Sequence, residues 1–199
     1  DESAQKVWDI SEGIRKLRLK FATLTLSASA AQVKPATNII SGKISLKSDE
    51  WFRVDGDKGR IVVFPIASGP ATYEVEFQAD RGTAPSQKDY DDSSASFSAS
   101  KGLIVRTGKH LGIRLKIGVP AKQPVQVQLK TGLIEIGPLT GRIDAKLETG
   151  EIDYDARALA PDVCVNASVN EGSVTNNRDF RCTPGEANLH VHTGTLEVK

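Results

Sequence analysis

His190 and His192 stand two apart in the run Leu189-His190-Val191-His192, so on a β-strand both rings leave the same face. A His-x-His pair can chelate a transition metal, but a working site needs a third ligand. Leu189 and Val191 take the core side, which turns the histidines outward, beside Ser168 and Asn170. Neither neighbour is a strong ligand. The pair therefore reads as part of a solvated polar face, and no metal site is expected. His110 is remote in sequence.

Carboxylates are the second candidate chemistry. Glu135, Asp153 and Glu197 occupy equivalent places in a repeat, with Thr175 between, and should form an outward column. Glycosidases need two carboxylates at a set separation. Adjacent strands are about 4.8 Å apart, and Lys130, Lys146 and Arg142 are near enough in sequence to neutralise the acids. A charged ladder that keeps the surface solvated is the expectation. No serine has a credible His and Asp companion, no G-x-S-x-G elbow occurs, and no glycine-rich phosphate loop precedes a helix. Neither catalysis nor a cofactor is expected. Tyr90 and Phe97 lie in a Ser- and Asp-rich stretch, 81–100, that reads as a long connection; they are the candidate binding residues. Trp8 and Trp51 are further aromatics without a firm core position. Asn166-Ala167-Ser168 matches a glycosylation acceptor, a pattern that arises often by chance.

The elements that hold these residues repeat. Leu129-Lys130-Thr131-Gly132-Leu133-Ile134 returns as Leu147-Glu148-Thr149-Gly150-Glu151-Ile152, as Val169-Asn170-Glu171-Gly172-Ser173-Val174 and as Val191-His192-Thr193-Gly194-Thr195-Leu196. Ile39-Ile40-Ser41-Gly42-Lys43-Ile44 fits the same pattern with Ser for Thr. From Gly132 onward the glycines step by 18, 22 and 22 residues. Such a step, strand–turn–strand each time, predicts a β-solenoid or β-helix-like stack. Gly42, Gly132, Gly150, Gly172 and Gly194 are the expected corners, since a tight bend needs positive φ or close backbone approach. Before each corner the apolar residues alternate, as in Val125, Val127 and Leu129, and after it they resume at Ile134 and Ile136. Stacked columns of this kind should supply the core, so Leu147→Ala or Val169→Ala is expected to cost ~2–4 kcal/mol.

The expected fold is all-β: one elongated domain over 1–199, irregular sheet over about 1–110 and regular repeats over 111–199. Trp51–Val54, Ile61–Ile66 and Thr72–Phe77 read as strands, with turns at Asp55-Gly56 and Ser68-Gly69-Pro70. Lys and Arg number 26 against 25 Asp and Glu, a net charge of +1. That balance argues against a nucleic-acid binder or a polybasic membrane-surface protein. No apolar run is long enough to span a membrane. Cys164 and Cys182 can form one disulfide, worth roughly 3 kcal/mol in the chain-entropy picture, if the compartment is oxidising. The chain starts Asp1-Glu2-Ser3 and contains no Met, for which a removed export signal is one account and an engineered start another.

The stretch from Leu115 to Lys199 resembles an adhesin-like family of bacterial exported proteins with Gly-containing β-helix repeats. The likeness rests on Lys116-Ile117-Gly118-Val119-Pro120, on Val125 to Ile136 and on Gly141 to Ile152. The resemblance implies export to the periplasm or cell surface and a non-catalytic binding or structural role. It offers no catalytic residues to carry over. The implied partner is another macromolecule, an envelope protein or a glycan. The alternative is a carbohydrate-active β-helix enzyme or a glycan-binding module.

Overall fold

The computed structural model of the chain describes residues 39–160, 163–176 and 183–199, with side chains for 39–160, 165–175 and 187–199. The chain divides after Thr37, and all these residues belong to the unit Asn38–Lys199. Trp8 and Cys182 lie outside the described residues, and Cys164 is described in its backbone alone. The expected disulfide therefore lies outside them too.

The described residues are all-β apart from two short helical turns. The strands are β1 (Ile39–Ile44), β2 (Phe52–Ile66), β3 (Ala71–Ala79), β4 (Ser94–Ser98), β5 (Gly102–Arg106), β6 (Leu111–Pro120), β7 (Val125–Ile136), β8 (Ile143–Tyr154), β9 (Val163–Asn176) and β10 (Thr183–Val198). Helix α1 spans Gln87–Asp91, and a 3-10 turn covers Ala156–Ala158. The strands form one mixed sheet in the order β1-β3-β6-β2-β7-β8-β10-β9. The β4–β5 hairpin joins it through β5, which pairs with β2.

Five strands, β2, β7, β8, β10 and β9, run parallel and in register. Each changes phase once. In β7, Val125, Val127 and Leu129 are buried, and then Ile134 and Ile136. In β8, Ile143, Ala145 and Leu147 are buried, and then Ile152 and Tyr154. A period-2 strand cannot switch parity without a bend, so each strand has two arms meeting at a corner. The corner residues form one row, Gly59, Gly132, Gly150, Gly194 and Gly172, with φ between 136° and 143°. That region is essentially reserved for glycine. A Cβ on Gly132 would collide with the carbonyl oxygen of Gly59, one on Gly150 with that of Gly132, and one on Gly194 with that of Gly150.

The bend also explains the short returns between parallel strands. A parallel crossover ordinarily needs a dozen or more residues, yet only 137–142 separate β7 from β8. A bent strand has a shorter end-to-end distance for the return to cover. The return is tied down where Gly137 N–H donates to Val63 O (2.8 Å) and Thr140 N–H to Ala121 O (2.8 Å). Leu139 of this return, and Ala156 and Leu159 of the next, are buried with the strand residues in one core.

Several expectations are corrected. Asp55-Gly56 is not a turn: β2 is continuous, and its corner is Lys58-Gly59, three residues later. Gly56 takes the place that Leu129 fills in β7, which hides the motif. The set of parallel strands in register with a glycine corner thus includes β2, before residue 110. Gly42 does not join the glycine row; it sits in β1, antiparallel to β3 and opposite Tyr73, whose ring occupies the space a Cβ would need. The stack order is also not the chain order, because β10 lies between β8 and β9. The interior slot goes to the more apolar strand. β10 brings Leu189, Val191, Leu196 and Val198, all buried, where β9 offers Ala167, Val169 and Val174. Each fully buried large aliphatic side chain contributes roughly 1.5–3 kcal/mol. Val169 is consequently only half-buried and Val174 is 42% exposed.

These positions separate in urea denaturation. Gly150→Ala should cost more than about 4 kcal/mol or prevent folding, because backbone must move. Gly69→Ala, at φ 105° with nothing within 4 Å of a Cβ, should cost only about 1 kcal/mol of backbone strain. Leu147→Ala should cost ~2–4 kcal/mol and Val169→Ala about 1 kcal/mol, below its sequence-based expectation. Equal losses at Gly150 and Gly69 would refute the stacked corner.

Candidate functional site

In the arms before the corner, every second residue points away from the core, and strand register lines these side chains up in rows. The row farthest from the corner is Arg53, Gln126, Asp144, Asn188 and Asn166. The next is Asp55, Gln128, Lys146, His190 and Ser168, and the third is Asp57, Lys130, Glu148, His192 and Asn170. The result is a polar face five strands wide.

Neighbours within a row bond to each other. Gln126 Nε2 donates to Asp144 Oδ2 (2.9 Å), and Asn166 Nδ2 to Asn188 Oδ1 (3.0 Å). Ser168 Oγ lies 2.8 Å from His190 Nδ1, and Asn170 Nδ2 lies 2.8 Å from His192 Nδ1. Each imidazole thus commits Nδ1 to β9 and leaves Nε2 for another partner. At the β2 end, Arg106 donates to Asp55 through both terminal nitrogens (3.1 Å each), and Lys130 donates to Asp57 (2.8 Å). Partial burial opposes the charge on Asp57, but Lys130, the Thr107 N–H and Arg106 outweigh it and lower its pKa. A groove of about 400 Å³ runs between the second and third rows. Gln128, Lys130, Lys146, Glu148, His190 and His192 line it. Leu129 and Leu147 turn their side chains into the core, so they give the groove main chain. Such a surface offers donors and acceptors at strand spacing to an extended ligand.

The acidic column lies on the other arm. Glu135, Asp153 and Glu197 are consecutive neighbours, and Thr175 follows at the edge rather than between them, because β10 precedes β9 in the sheet. The neutralising cations are not Lys130, Lys146 and Arg142. Arg60 binds Glu135 with Nε and Nη2, and Lys199 Nζ bridges Asp153 (2.7 Å) and Glu197 (3.5 Å). Strand pairing brings Arg60 to Glu135 and Lys199, just past the end of β10, to Asp153, across 75 and 46 residues of sequence. Among the described residues, no cluster of three or more His, Cys, Asp or Glu is placed to hold a metal ion.

Tyr90 and Phe97 do not lie on an irregular loop. Tyr90 lies on α1, which Ser86 caps in a capping box, in which Ser86 and Asp89 bond each other's backbone. Phe97 lies on β4, opposite Leu103 of β5. Both rings are half-buried and pack against the core. The Ser-x-x-Asp spacing at Ser86–Asp89 and the alternation at Ala95 and Phe97 were the available signals. The segment is anchored by Asp89, which is buried. It accepts from Ser86 N–H (2.7 Å) and Ser86 Oγ (2.8 Å), with His110 Nδ1 at 3.3 Å. Among the described residues, an exposed ring that sequence reading missed is Phe64, 39% exposed, which lies against Gly118 beside the Lys116–Glu74 ion pair.

No protein-family model matches the sequence. No curated protein matches it either. Among solved structures, a "putative cell adhesion protein" from Clostridium sporogenes is similar in fold over 83% of this chain and 99% of its own, at 12% identity and a TM-score of 0.49. Among the described residues, no helix is long and apolar enough to cross a membrane.

Asp89 gives a pH test. The Ser86 donors, backbone first, hold its carboxyl well below the usual carboxylate range, and His110 adds to the effect. A depressed folded pKa stabilises fully above the unfolded value, about pH 4, and progressively less as pH falls below it. The stability difference between the wild type and Asp89→Asn should therefore narrow from pH 5 to pH 3. A constant difference would show that the carboxylate charge is not what anchors α1.

Proposed function

We propose that this chain is a non-catalytic β-repeat protein of the bacterial cell envelope or surface, and that its outer polar face binds another macromolecule, an envelope protein or a glycan. The supporting observation is the groove between the second and third rows. It is floored by main chain and edged by Gln128, Lys146, Glu148, His190 and His192, and it continues across adjacent parallel strands. An extended ligand would meet the same polar spacing at each strand. The carboxylates that a glycosidase reading would use are engaged by Arg60 and Lys199, which favours binding over hydrolysis.

Bent parallel strands joined by a six-residue return support a β-solenoid in which each coil has two strand arms and one short return. Export is part of the same proposal, and in an oxidising compartment Cys164 and Cys182 would be expected to pair. Protein isolated from its source organism should carry no free thiol by intact mass after alkylation.

The binding test uses purified envelope glycans and surface proteins, with Lys146→Ala and His192→Ala on the groove and Tyr90→Ala and Phe97→Ala on the anchored segment. Loss of at least about tenfold in affinity for the groove variants alone is expected. Loss confined to Tyr90→Ala and Phe97→Ala would move the site to residues 81–100. Turnover of any glycan would overturn the non-catalytic reading.

A further inference from the structure

We infer that the free edge of β9 is a homodimer interface, at which β9 of a second copy pairs antiparallel. Among the described residues, β9 has a neighbour on one side only, β10, and it closes one end of the sheet order. Natural sheets protect such edges by keeping them short, by lysine, by proline or by a bulge. β9 is neither short nor interrupted by lysine or proline, and its corner at Gly172 is shared with its neighbours in the row. It runs for 14 residues, and in Val-Cys-Val-Asn-Ala-Ser-Val-Asn-Glu-Gly-Ser-Val-Thr-Asn the only charge is Glu171. The opposite end of the sheet is different: β1 is six residues long and carries Lys43. The apolar positions of β9 are also incompletely covered, with Ala167 and Val169 half-buried and Val174 42% exposed.

Three features identify the occupant. The edge is bent at Gly172, so a straight strand could cover only one arm. The core-facing positions change parity across the corner, from Ala167 and Val169 to Val174. A mate must therefore bend at the same place and change parity there. A parallel mate would need a glycine of its own beside Gly172, because each corner in the row places its missing Cβ on the next corner's carbonyl. Among the described residues, the other glycine-cornered strands already have neighbours on both sides. An antiparallel copy of β9 meets every requirement. Its first arm faces the second arm of its mate, and the bend and the parity change coincide. The register that keeps apolar positions together sets Val169 of each copy opposite Val174 of the other. The two-fold axis then passes between Glu171 and Gly172, an isologous contact. The pairing is independent of what the groove binds, which lies on the face of the sheet and not at its edge.

The position of the axis gives an unusual expectation. The two Glu171 side chains become like-charged neighbours at the axis, so they weaken a dimer that the rest of the edge favours. Sedimentation equilibrium of the full chain, in reductant so that Cys164 and Cys182 cannot cross-link copies, should show a dimer at about 100 µM. Glu171→Gln should tighten it by roughly threefold or more, and Val174→Lys should weaken it by roughly tenfold or more. Val174 is already exposed in the single chain, so the lysine should leave the circular dichroism unchanged. Unchanged circular dichroism and a discrete dimer mass in Glu171→Gln separate a gain of affinity from aggregation of misfolded protein. A wild-type monomer at that concentration would overturn the inference, as would a dimer indifferent to both substitutions.

Discussion

The row of stacked glycines is the constraint on which the rest of this structure depends. At Gly59, Gly132, Gly150, Gly194 and Gly172 the backbone adopts a φ near 140°, and each α-carbon sits against the carbonyl of its neighbour. A side chain there faces two obstacles at once, an unfavourable φ and a collision with main chain. Relieving the collision at one strand means displacing the next, so the corner is a property of the stack and not of a single turn. The bend in turn makes the six-residue return between β7 and β8 possible and turns both arms of the strand toward one core.

That geometry divides the labour between the two sides of the sheet. Inward positions form aliphatic columns, in which Val127, Ala145 and Leu189, or Ile134, Ile152 and Leu196, lie side by side and are buried. Outward positions are freed from packing and are used for ladders of amides, hydroxyls, imidazoles and ion pairs. Exposed ion pairs contribute little to stability. The presence of Arg60 beside Glu135, and of Lys199 between Asp153 and Glu197, is better understood as balancing like charges that register forces together. The polar face before the corner carries Gln128, Lys146, Glu148, His190 and His192 along its groove, and under the proposed function this is the surface that would meet a ligand.

The two ends of the sheet are managed differently. On one flank, β2 pairs with β5 before its corner and with β6 after it. The parallel stack thereby passes into antiparallel pairing, through β6 with β3 and β3 with β1. The last glycine of the row meets Ile113 there, and the corner ends because β6 begins at the bend. On the other flank nothing comparable closes the edge at β9 among the described residues. The segment between β3 and β5 is held by a local device instead, the reciprocal bonds of Ser86 and Asp89 with His110 alongside.

The sequence by itself determined the all-β class, the place of four corners and the residues that face inward, because alternation and glycine spacing are local and repeat. It also placed Ser168 beside His190 and Asn170 beside His192, since equal offsets from a corner fall side by side in register. It did not disclose the corner at Lys58-Gly59, where Gly56 replaces the expected aliphatic residue, and it suggested one at Gly42, where the strand is straight and antiparallel. Nor did it reveal that β10 precedes β9 in the sheet. All the repeats obey the same local pattern, so local pattern cannot rank them. The ranking comes from how much apolar surface each strand can bury on both sides, and only the assembled sheet poses that choice. The cations that neutralise the acidic column follow from the same cause: Arg60 and Lys199 reach Glu135 and Asp153 only once segments 75 and 46 residues apart are side by side.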